Sequence, residues 1–449
     1  MSRLSGKRGM VTALTALCAT AVTLGAVAAP SAAAPNRTPG LDEVFNGYVV
    51  GALQKGELAT PDQIVEPLRG DDPFYDEPAL KDSDQPGTLL RAKKVAVQFT
   101  GVRPADLDAW KTMFVTTDLQ GRRDISTGIV MIPRDGENNA DRKVIGYQMA
   151  NDSVGGNCHP SAMWTGADPM DGASWSALGP LAQLFGKGYA VVISDVGNNG
   201  DMSPHGVFAG KYNAMTTLDG LRATMGREEI GLSKDAPVGL FGIAGGGVGI
   251  GFASELHEQY APELNIRATV LEGMVVDYKN FIRTADGSVG SGFAMATLLG
   301  LEPHYPEMKV DDKLNDAGKA VADYYRTQCQ TPAYFTMPMV PLHTLFNGKA
   351  PADIPDFQHA YRDNLLGKGT PAEGNRTLIA SCAADDSPMS LVPAADSRKL
   401  AKAWRGRDAK VDYQPTDCSM VKFITDLYGW GTDLLGMQTV DWLAANLKD

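Results

Sequence analysis

A buried strand, a glycine-rich turn and a helix follow one another in the middle of this chain, and this order constrains its fold more than any other feature. Residues 236–241 are apolar and typical of a strand, and residues 252–257 are typical of a helix. Between them lies Gly242-Ile243-Ala244-Gly245-Gly246, which we call the glycine turn. In the G-x-S-x-G form of such a turn, the strained and exposed central residue is a nucleophilic serine. Here it is Ala244, so the sequence predicts the geometry without the hydroxyl.

Apolar runs alternate with helical patterns on both sides of the glycine turn. Strands are predicted at residues 92–99, 112–117, 126–133, 144–149, 190–195, 236–241, 267–272, 376–380 and 410–413. Helices are predicted at residues 175–185, 213–225, 252–257, 396–404 and 437–447. This alternation is typical of an α/β fold with a mostly parallel central sheet and helices on both faces. Residues 277–374 break the alternation with helical patterns alone, which predicts an inserted helical cap.

The first 33 residues have the form of an export signal. Three basic residues precede an apolar run from Met10 to Ala29, and small residues suited to cleavage follow. The alternative is an uncleaved membrane anchor, because the apolar run is long enough to span a bilayer. The remaining chain is predicted to divide into residues 35–276 (an N-terminal arm and the first part of the core), 277–374 (the cap) and 375–449 (the last part of the core).

Acidic side chains outnumber basic ones. The chain has 41 basic and 53 acidic residues, and its net charge of −12 becomes −15 when the three basic residues of the signal are removed. Such a charge repels nucleic acid and anionic membranes, so neither is expected as a partner. No second apolar run approaches the length that spans a bilayer. We therefore expect an exported protein, secreted or held in the cell envelope, and monomeric.

One cysteine, Cys18, lies in the signal, and an even set remains beyond it: Cys158, Cys329, Cys382 and Cys418. An even number in an exported chain indicates two disulfides, for which three pairings are possible. No spacing is C-x-x-C and the histidines do not cluster near the cysteines, so no metal site is expected. The glycines of residues 245–251 do not fit G-x-G-x-x-G, and no cofactor is expected.

Short blocks recur along the chain in a fixed order. They are Gly146-Tyr147-Gln148, Asn151-Asp152-Ser153, Cys158-His159-Pro160-Ser161, residues 189–195, residues 217–223, the glycine turn and residues 260–264. In this order and spacing the chain resembles the secretory lipases, a family of α/β-hydrolases with a helical cap. The resemblance covers most of the exported chain. It implies a lipase or carboxylesterase whose triad follows the order Ser, Asp, His.

The resemblance also implies a role for individual positions. The backbone N–H groups of Asp152 and Gly245 would form the oxyanion hole, which stabilises the transition state of acyl transfer. The triad acid would be Asp385 or Asp386, after the strand that ends near residue 380. The nucleophile position is Ala244, which has no group that can attack a carbonyl carbon.

The triad histidine has no counterpart in the sequence. The family places it downstream of the acid, near residues 413–420, whereas the last histidine of the chain is His359. Cys418 lies about where the histidine is expected, and a Cys382–Cys418 disulfide would join the two loops that a His–Asp hydrogen bond links in the family. The alternative for this pair is an ordinary scaffold disulfide. Cys158–Cys329 would then join the cap to the core.

Two missing catalytic positions favour a catalytically impaired homologue that keeps an apolar, capped pocket for a lipid or acyl ester. Removal of a triad serine or histidine costs about a millionfold in turnover. One alternative is an active esterase with a relocated nucleophile or base. Its candidates are Ser153, Ser161 and His159, although such residues more often cap backbone or pack in loops. The other alternative is a structural or interaction protein of the cell envelope with a collapsed pocket.

Overall fold

Among the residues described by the computed structural model of the chain, nine strands form one sheet. The structure describes residues 72–98, 105–151, 153–168, 172–198, 206–330, 335–383, 391–419 and 438–447. The predicted export signal, residues 1–33, lies outside these ranges. The strands are β1 (Leu89–Val95), β2 (Leu107–Thr117), β3 (Arg123–Pro133), β4 (Val144–Gln148), β5 (Ala190–Ser194), β6 (Val238–Ile243), β7 (Ile266–Glu272), β8 (Arg376–Cys382) and β9 (Val411–Thr416).

The order of strands across the sheet is β1-β2-β3-β5-β4-β6-β7-β8-β9. The first three strands are antiparallel, and β3 pairs antiparallel with β5. From β5 to β9 every neighbouring pair is parallel. The predicted α/β class with a mostly parallel sheet is confirmed. Because the carboxyl ends of parallel strands share one edge, the segments that follow β4, β6, β7 and β8 leave the sheet at the same edge.

Helices cover both faces of this sheet. They are α1 (Pro160–Met163), α2 (Gly172–Gly186), α3 (Gly210–Thr224), α4 (Ala244–Tyr260), α5 (Tyr278–Ala285), α6 (Ser291–Leu301), α7 (Val310–Lys313), α8 (Asp316–Arg326), α9 (Gln358–Asp363), α10 (Ala394–Arg405) and α11 (Gln438–Asn446). Short 3₁₀ turns occupy Pro73–Tyr75, Asn139–Asp141, Gly206–Phe208, Glu302–His304, Pro306–Met308, Leu342–Thr344, Pro351–Asp353 and Pro355–Phe357. Within the described ranges, no helix is both long and apolar enough to cross a membrane.

Two apolar clusters fill the space between the sheet and its helices. On one face, α3, α4 and α10 pack on the sheet together with side chains of α5 and α6. On the other face, α2 and α11 cover residues of β4, β6 and β7. Burial of apolar area on both sides of the sheet is the main favourable term for a fold of this kind. Every residue of β4, β5 and β6 is buried, as parallel strands covered on both faces require.

The described elements between β7 and β8 are all helical, and they pack tightly on the core. A Cβ added to Gly300 on α6 would lie 2.2 Å from the ring of Phe208. Tyr278 donates its hydroxyl hydrogen to the carbonyl oxygen of Phe208 at 2.8 Å, and the Gly210 amide donates to Asn364 Oδ1 at 2.7 Å. The boundaries 35–276, 277–374 and 375–449 stay a prediction.

A buried carboxylate on α4 holds the segment that returns from this helical region to the sheet. Glu255 accepts hydrogen bonds from the amides of Gly367 and Gly369 at 2.7 and 3.1 Å and from Trp404 Nε1 at 3.0 Å. Burial raises the pKa of Glu255, and the three donors oppose that rise. Glu255 on α4 therefore links the segment around residues 367–369 to Trp404 on α10.

Candidate active site

The glycine turn is built as the sequence predicts, with a strand ending at Ile243 and a helix beginning at Ala244. Ala244 has a φ of +48°, in the left-handed region that costs a residue with a Cβ about 1–2 kcal/mol. It is half-buried, between the fully buried strand β6 and the buried first turn of α4. The turn therefore holds its central residue in a strained left-handed conformation, and that residue carries only a methyl group.

The glycines after Ala244 allow α4 to approach its neighbours closely. A Cβ at Gly246 would lie 2.3 Å from the carbonyl oxygen of Met149 and 2.6 Å from that of Gln148. A Cβ at Gly249 would lie 2.1 Å from Asn213 Cγ on α3. Side chains at these positions would overlap backbone or a buried amide, so close packing explains the glycines despite their low helix propensity.

The predicted oxyanion hole is described in part. Gly245 lies in the first turn of α4, where it is buried. Asp152 lies outside the described residues, so the pairing of the two N–H groups stays a prediction. Next to it, Asn151 accepts a hydrogen bond from the Ser153 amide at 3.2 Å through Oδ1. The loop after β4 thus begins at the point where the carbonyls of Gln148 and Met149 contact α4.

Both candidates for the triad acid, Asp385 and Asp386, lie outside the described residues. The structure describes the strand that leads to them, β8, which ends at Cys382 two strands away from β6. Cys382 forms a disulfide with Cys418, two residues beyond the end of β9, with 5.5 Å between the Cα atoms. This bond joins the segments that leave β8 and β9. The second disulfide, Cys158–Cys329, joins the loop after β4 to the segment after α8.

Three of the histidines in the described ranges pack against other parts of the fold. His159 is buried, and its Nδ1 donates to the carbonyl oxygen of Asp195 at 2.9 Å. His257 lies thirteen positions after Ala244 on α4 and donates from Nε2 to the carbonyl oxygen of Leu264 at 2.7 Å. Burial lowers the pKa of His304 to about 4, and its ring centroid lies 4.8 Å from that of Tyr212. These contacts are those of packed side chains.

The two serines considered as alternative nucleophiles differ in their surroundings. Ser161 is fully buried, and its hydroxyl contacts Asp195 Oδ2 at 2.5 Å and the Tyr75 hydroxyl at 2.8 Å. A hydroxyl between a carboxylate and a phenol has no histidine to take its proton. Ser153 is also buried, but its hydroxyl makes no hydrogen bond within the described part of the chain. Neither serine caps backbone with its side chain, in contrast to the more common role of serines in turns.

Sequence reasoning missed a carboxylate next to the glycine turn. Glu272, the last residue of β7, is paired across the sheet with Ile243, the residue before Ala244. It is fully buried, and Thr439 on α11 donates its hydroxyl hydrogen to Glu272 Oε1. The available signal was an acidic residue at the carboxyl end of an apolar strand. No group of histidine, cysteine or acidic side chains that could hold a metal ion occurs among the described residues.

Comparison with known proteins places the chain among lipases. The sequence profile of the secretory lipase family matches residues 178–435. A probable inactive lipase of Mycobacterium tuberculosis is 28% identical over 353 residues, which are 77% of this chain and 76% of that protein. A secreted triacylglycerol lipase of Malassezia furfur is 28% identical over 368 residues, which are 80% of this chain and 73% of that protein.

Solved structures have the same fold. Lipase A of Candida antarctica in its closed state has a TM-score of 0.68 at 22% identity, covering 86% of this chain and 88% of that chain. A rice cell wall degrading esterase of Xanthomonas oryzae has a TM-score of 0.61 at 18% identity, covering 81% and 100%. These likenesses establish the α/β-hydrolase fold. Because the family profile matches more than half of this chain, the chain belongs to the secretory lipase family.

Proposed function

We propose that this chain is an exported, catalytically impaired member of its family that binds a lipid or an acyl ester in a capped apolar pocket. The observation that carries the proposal is Ala244 at a φ of +48°. The strained turn of a nucleophile is kept, although the residue in it has no hydroxyl. Backbone strain persists where the surrounding structure enforces it, and such positions cluster at functional sites. The missing histidine supports the same conclusion, since no histidine follows His359.

The architecture around the turn suits a binding protein. We propose that residues 1–33 direct export, that residues 277–374 form a cap over the carboxyl edge of the sheet, and that the chain acts as a monomer outside the cell or in its envelope. Two disulfides are consistent with an oxidising compartment. The Mycobacterium tuberculosis relative is named a probable inactive lipase, and the Malassezia furfur relative a triacylglycerol lipase. Together these names support a lipid ligand with impaired turnover.

Activity and binding are tested separately on the purified full-length exported protein. Hydrolysis of short-chain and long-chain nitrophenyl esters is measured, and a serine-directed fluorophosphonate probe reports an activated serine. We expect neither turnover at ordinary enzyme rates nor labelling. Native mass spectrometry of the protein from its own host is expected to show a co-purifying lipid. Turnover or labelling would overturn the impaired state, whereas an empty spectrum and no binding of acyl probes would favour a structural role.

An active esterase with a relocated nucleophile is the second candidate, and one observation favours it. The hydroxyl of Ser153 is buried and makes no hydrogen bond within the described ranges, and this residue follows the predicted oxyanion position. If Ser153 were the nucleophile, fluorophosphonate would label the wild-type protein and the label would be lost in Ser153→Ala. Retained labelling in Ser153→Ala with loss in Ser161→Ala would identify the other serine.

A further inference from the structure

Large apolar side chains are exposed in one part of the described molecule. Among the described residues there are four, and all lie in the helical region between α5 and α9: Val289, Tyr324, Phe335 and Met339. Phe335 is 76% exposed and Met339 is 63% exposed. Single apolar residues are common on protein surfaces, whereas a contiguous exposed group marks a site of interaction.

Contacts between loops bring these side chains onto one surface. The Met339 amide donates a hydrogen bond to the carbonyl oxygen of Ser288 at 2.7 Å, so the two loops that contain these residues lie side by side. A Cβ at Gly290, in the same loop as Ser288, would lie 3.2 Å from Leu391 Cδ2, so the segment before α10 borders them. We call the resulting surface the apolar strip, and its members are Val289, Phe335, Met339 and Leu391.

The segments that form the apolar strip carry no charged side chain. Residues 287–290, 335–341 and 391–393 contain no Asp, Glu, Lys, Arg or His, although 21% of the chain is charged. Asp286 borders the first of these segments, and its carboxylate accepts a hydrogen bond from the Leu342 amide at 2.5 Å. A charged partner would therefore find no opposite charge within the strip.

The backbone of the strip offers few hydrogen-bond donors to a partner. Pro338 and Pro341 have no N–H group. The neighbouring amides of Met339, Val340 and Leu342 all donate within the chain. Protein interfaces carry about one hydrogen bond per 100–200 Å², whereas hydrocarbon offers no hydrogen-bonding group at all. A surface without charges and with its amides already bonded therefore suits lipid better than protein.

The position of Met339 is enforced by the fold. Its φ of +65° lies in the left-handed region, which is unfavourable for a residue with a Cβ. Strain of this kind persists where the surrounding structure enforces it, and it clusters at functional sites. The hydrogen bond to Ser288 is the contact that holds this backbone. A flexible, apolar side chain that adapts to irregular surfaces is thereby kept exposed.

We infer that the apolar strip docks this protein on lipid surfaces without net charge, such as a bilayer of zwitterionic phospholipid. Docking removes the exposed apolar area from water, and the net charge of −12 disfavours anionic surfaces. This docking goes beyond the proposed function, because a protein can hold one lipid in a pocket without binding to a lipid surface.

Vesicle flotation tests the docking with the full-length exported protein. Wild type is expected to float with phosphatidylcholine vesicles and to bind less to vesicles that also contain phosphatidylglycerol. Phe335→Ser/Met339→Ser is expected to lower the partition coefficient on phosphatidylcholine at least tenfold, because it removes most of the apolar area that docking would bury. Both side chains are exposed, so thermal unfolding of the variant is expected to match that of wild type.

A matched control keeps the apolar character of the same two positions. Phe335→Leu/Met339→Leu is expected to bind phosphatidylcholine vesicles within about threefold of wild type, since most of the apolar area remains. Binding of wild type is also expected to persist in high salt, which screens charges but does not weaken apolar contacts. An equal loss in the serine and leucine variants, or release by salt, would overturn the role of the strip.

Two other outcomes would refute the docking. Wild type that does not float with phosphatidylcholine refutes it, and a lipid seen in native mass spectrometry would then leave the proposed pocket standing. Analytical ultracentrifugation without lipid is expected to show a monomer. A dimer that Phe335→Ser/Met339→Ser dissociates would show instead that a second copy of the chain covers the strip.

Discussion

Ala244 combines a strained left-handed backbone with a methyl side chain that cannot react, and this combination leads to a first prediction. We expect Ala244→Ser to restore no esterase activity, because a serine hydroxyl needs a base and no histidine follows His359 in the sequence. The measurement is kcat/KM for short-chain and long-chain nitrophenyl esters, with fluorophosphonate labelling alongside. Turnover near ordinary enzyme rates would show that a base such as His159 acts from a position outside the family pattern.

Gly246 is predicted to tolerate no side chain. A Cβ there would lie 2.3 Å from the carbonyl oxygen of Met149 and 2.6 Å from that of Gln148, and backbone atoms cannot move aside as the end of a flexible side chain can. We expect Gly246→Ala to lower the free energy of unfolding by about 1–3 kcal/mol, the usual cost of overpacking. Gly374→Ala is the matched control, since nothing lies within 4 Å of a Cβ at that position. Equal free energies of unfolding for the two variants in urea would show that the backbone around Gly246 can shift to accommodate a Cβ.

Individual residues also show which features could be predicted from the sequence and which could not. Ala244 and Gly245 could be placed because each belongs to a local pattern of five residues. The contact of Glu272 with Thr439 could not be predicted, because its partners are 167 positions apart and no pattern links them. For Ser161 the local pattern suggested backbone capping, whereas its partner is the carboxylate of Asp195, brought near by the fold.

At the scale of elements, helix α3 carries a buried acid whose titration gives stability a pH dependence. Asp219 accepts hydrogen bonds from Thr116 Oγ1, Arg222 Nη1 and the Tyr260 hydroxyl at 2.9, 2.9 and 2.6 Å. Burial raises its pKa to about 6, against the effect of these donors. Between about pH 4 and pH 6 the folded state therefore holds a proton at Asp219 that the unfolded state has lost. Stability from this group falls as pH rises through that range.

Asp219→Asn isolates this contribution, because asparagine resembles the protonated acid and does not titrate. The free energy of unfolding of the variant, relative to wild type, is expected to grow by about 3 kcal/mol from pH 4 to pH 7. Urea unfolding curves of both proteins at several pH values measure the difference. A difference that stays constant with pH would mean that the carboxylate is ionised throughout.

The elements themselves were largely predictable. Strands β4 to β8 are short apolar runs, and such runs between polar segments are a strong signal for buried parallel strands. The beginning of β2 was predicted at residue 112, whereas the strand begins at Leu107. Asp108 and Lys111 interrupt the apolar pattern there, and their partners come from other parts of the chain: Lys94 Nζ contacts Asp108 at 2.9 Å and Lys111 Nζ contacts Asp72 at 3.0 Å. The glycine turn was predicted to span residues 242–246, whereas β6 runs on to Ile243 and α4 begins at Ala244.

The two disulfides act at the scale of the whole molecule, and they differ in the length of chain that they close. Cys158–Cys329 spans 171 residues and Cys382–Cys418 spans 36. In the chain-entropy model they stabilise by about 5 and about 4 kcal/mol. We expect Cys158→Ser/Cys329→Ser to lose about 1 kcal/mol more than Cys382→Ser/Cys418→Ser in equilibrium unfolding. A larger loss from the Cys382→Ser/Cys418→Ser variant would show that this bond stabilises the folded state beyond the loop-closure entropy that the model counts.

Under the proposed function, the Cys382–Cys418 bond also bears on whether catalysis could be gained again in evolution. A mutation that places histidine at position 418 would remove the bond and leave Cys382 as a free thiol at the end of β8. That single step would forfeit about 4 kcal/mol, a large share of the stability of a typical domain, before Ala244 had become serine. Each reversion is therefore harmful or useless without the other. If the chain is catalytically impaired as proposed, this disulfide opposes a stepwise return to ester hydrolysis.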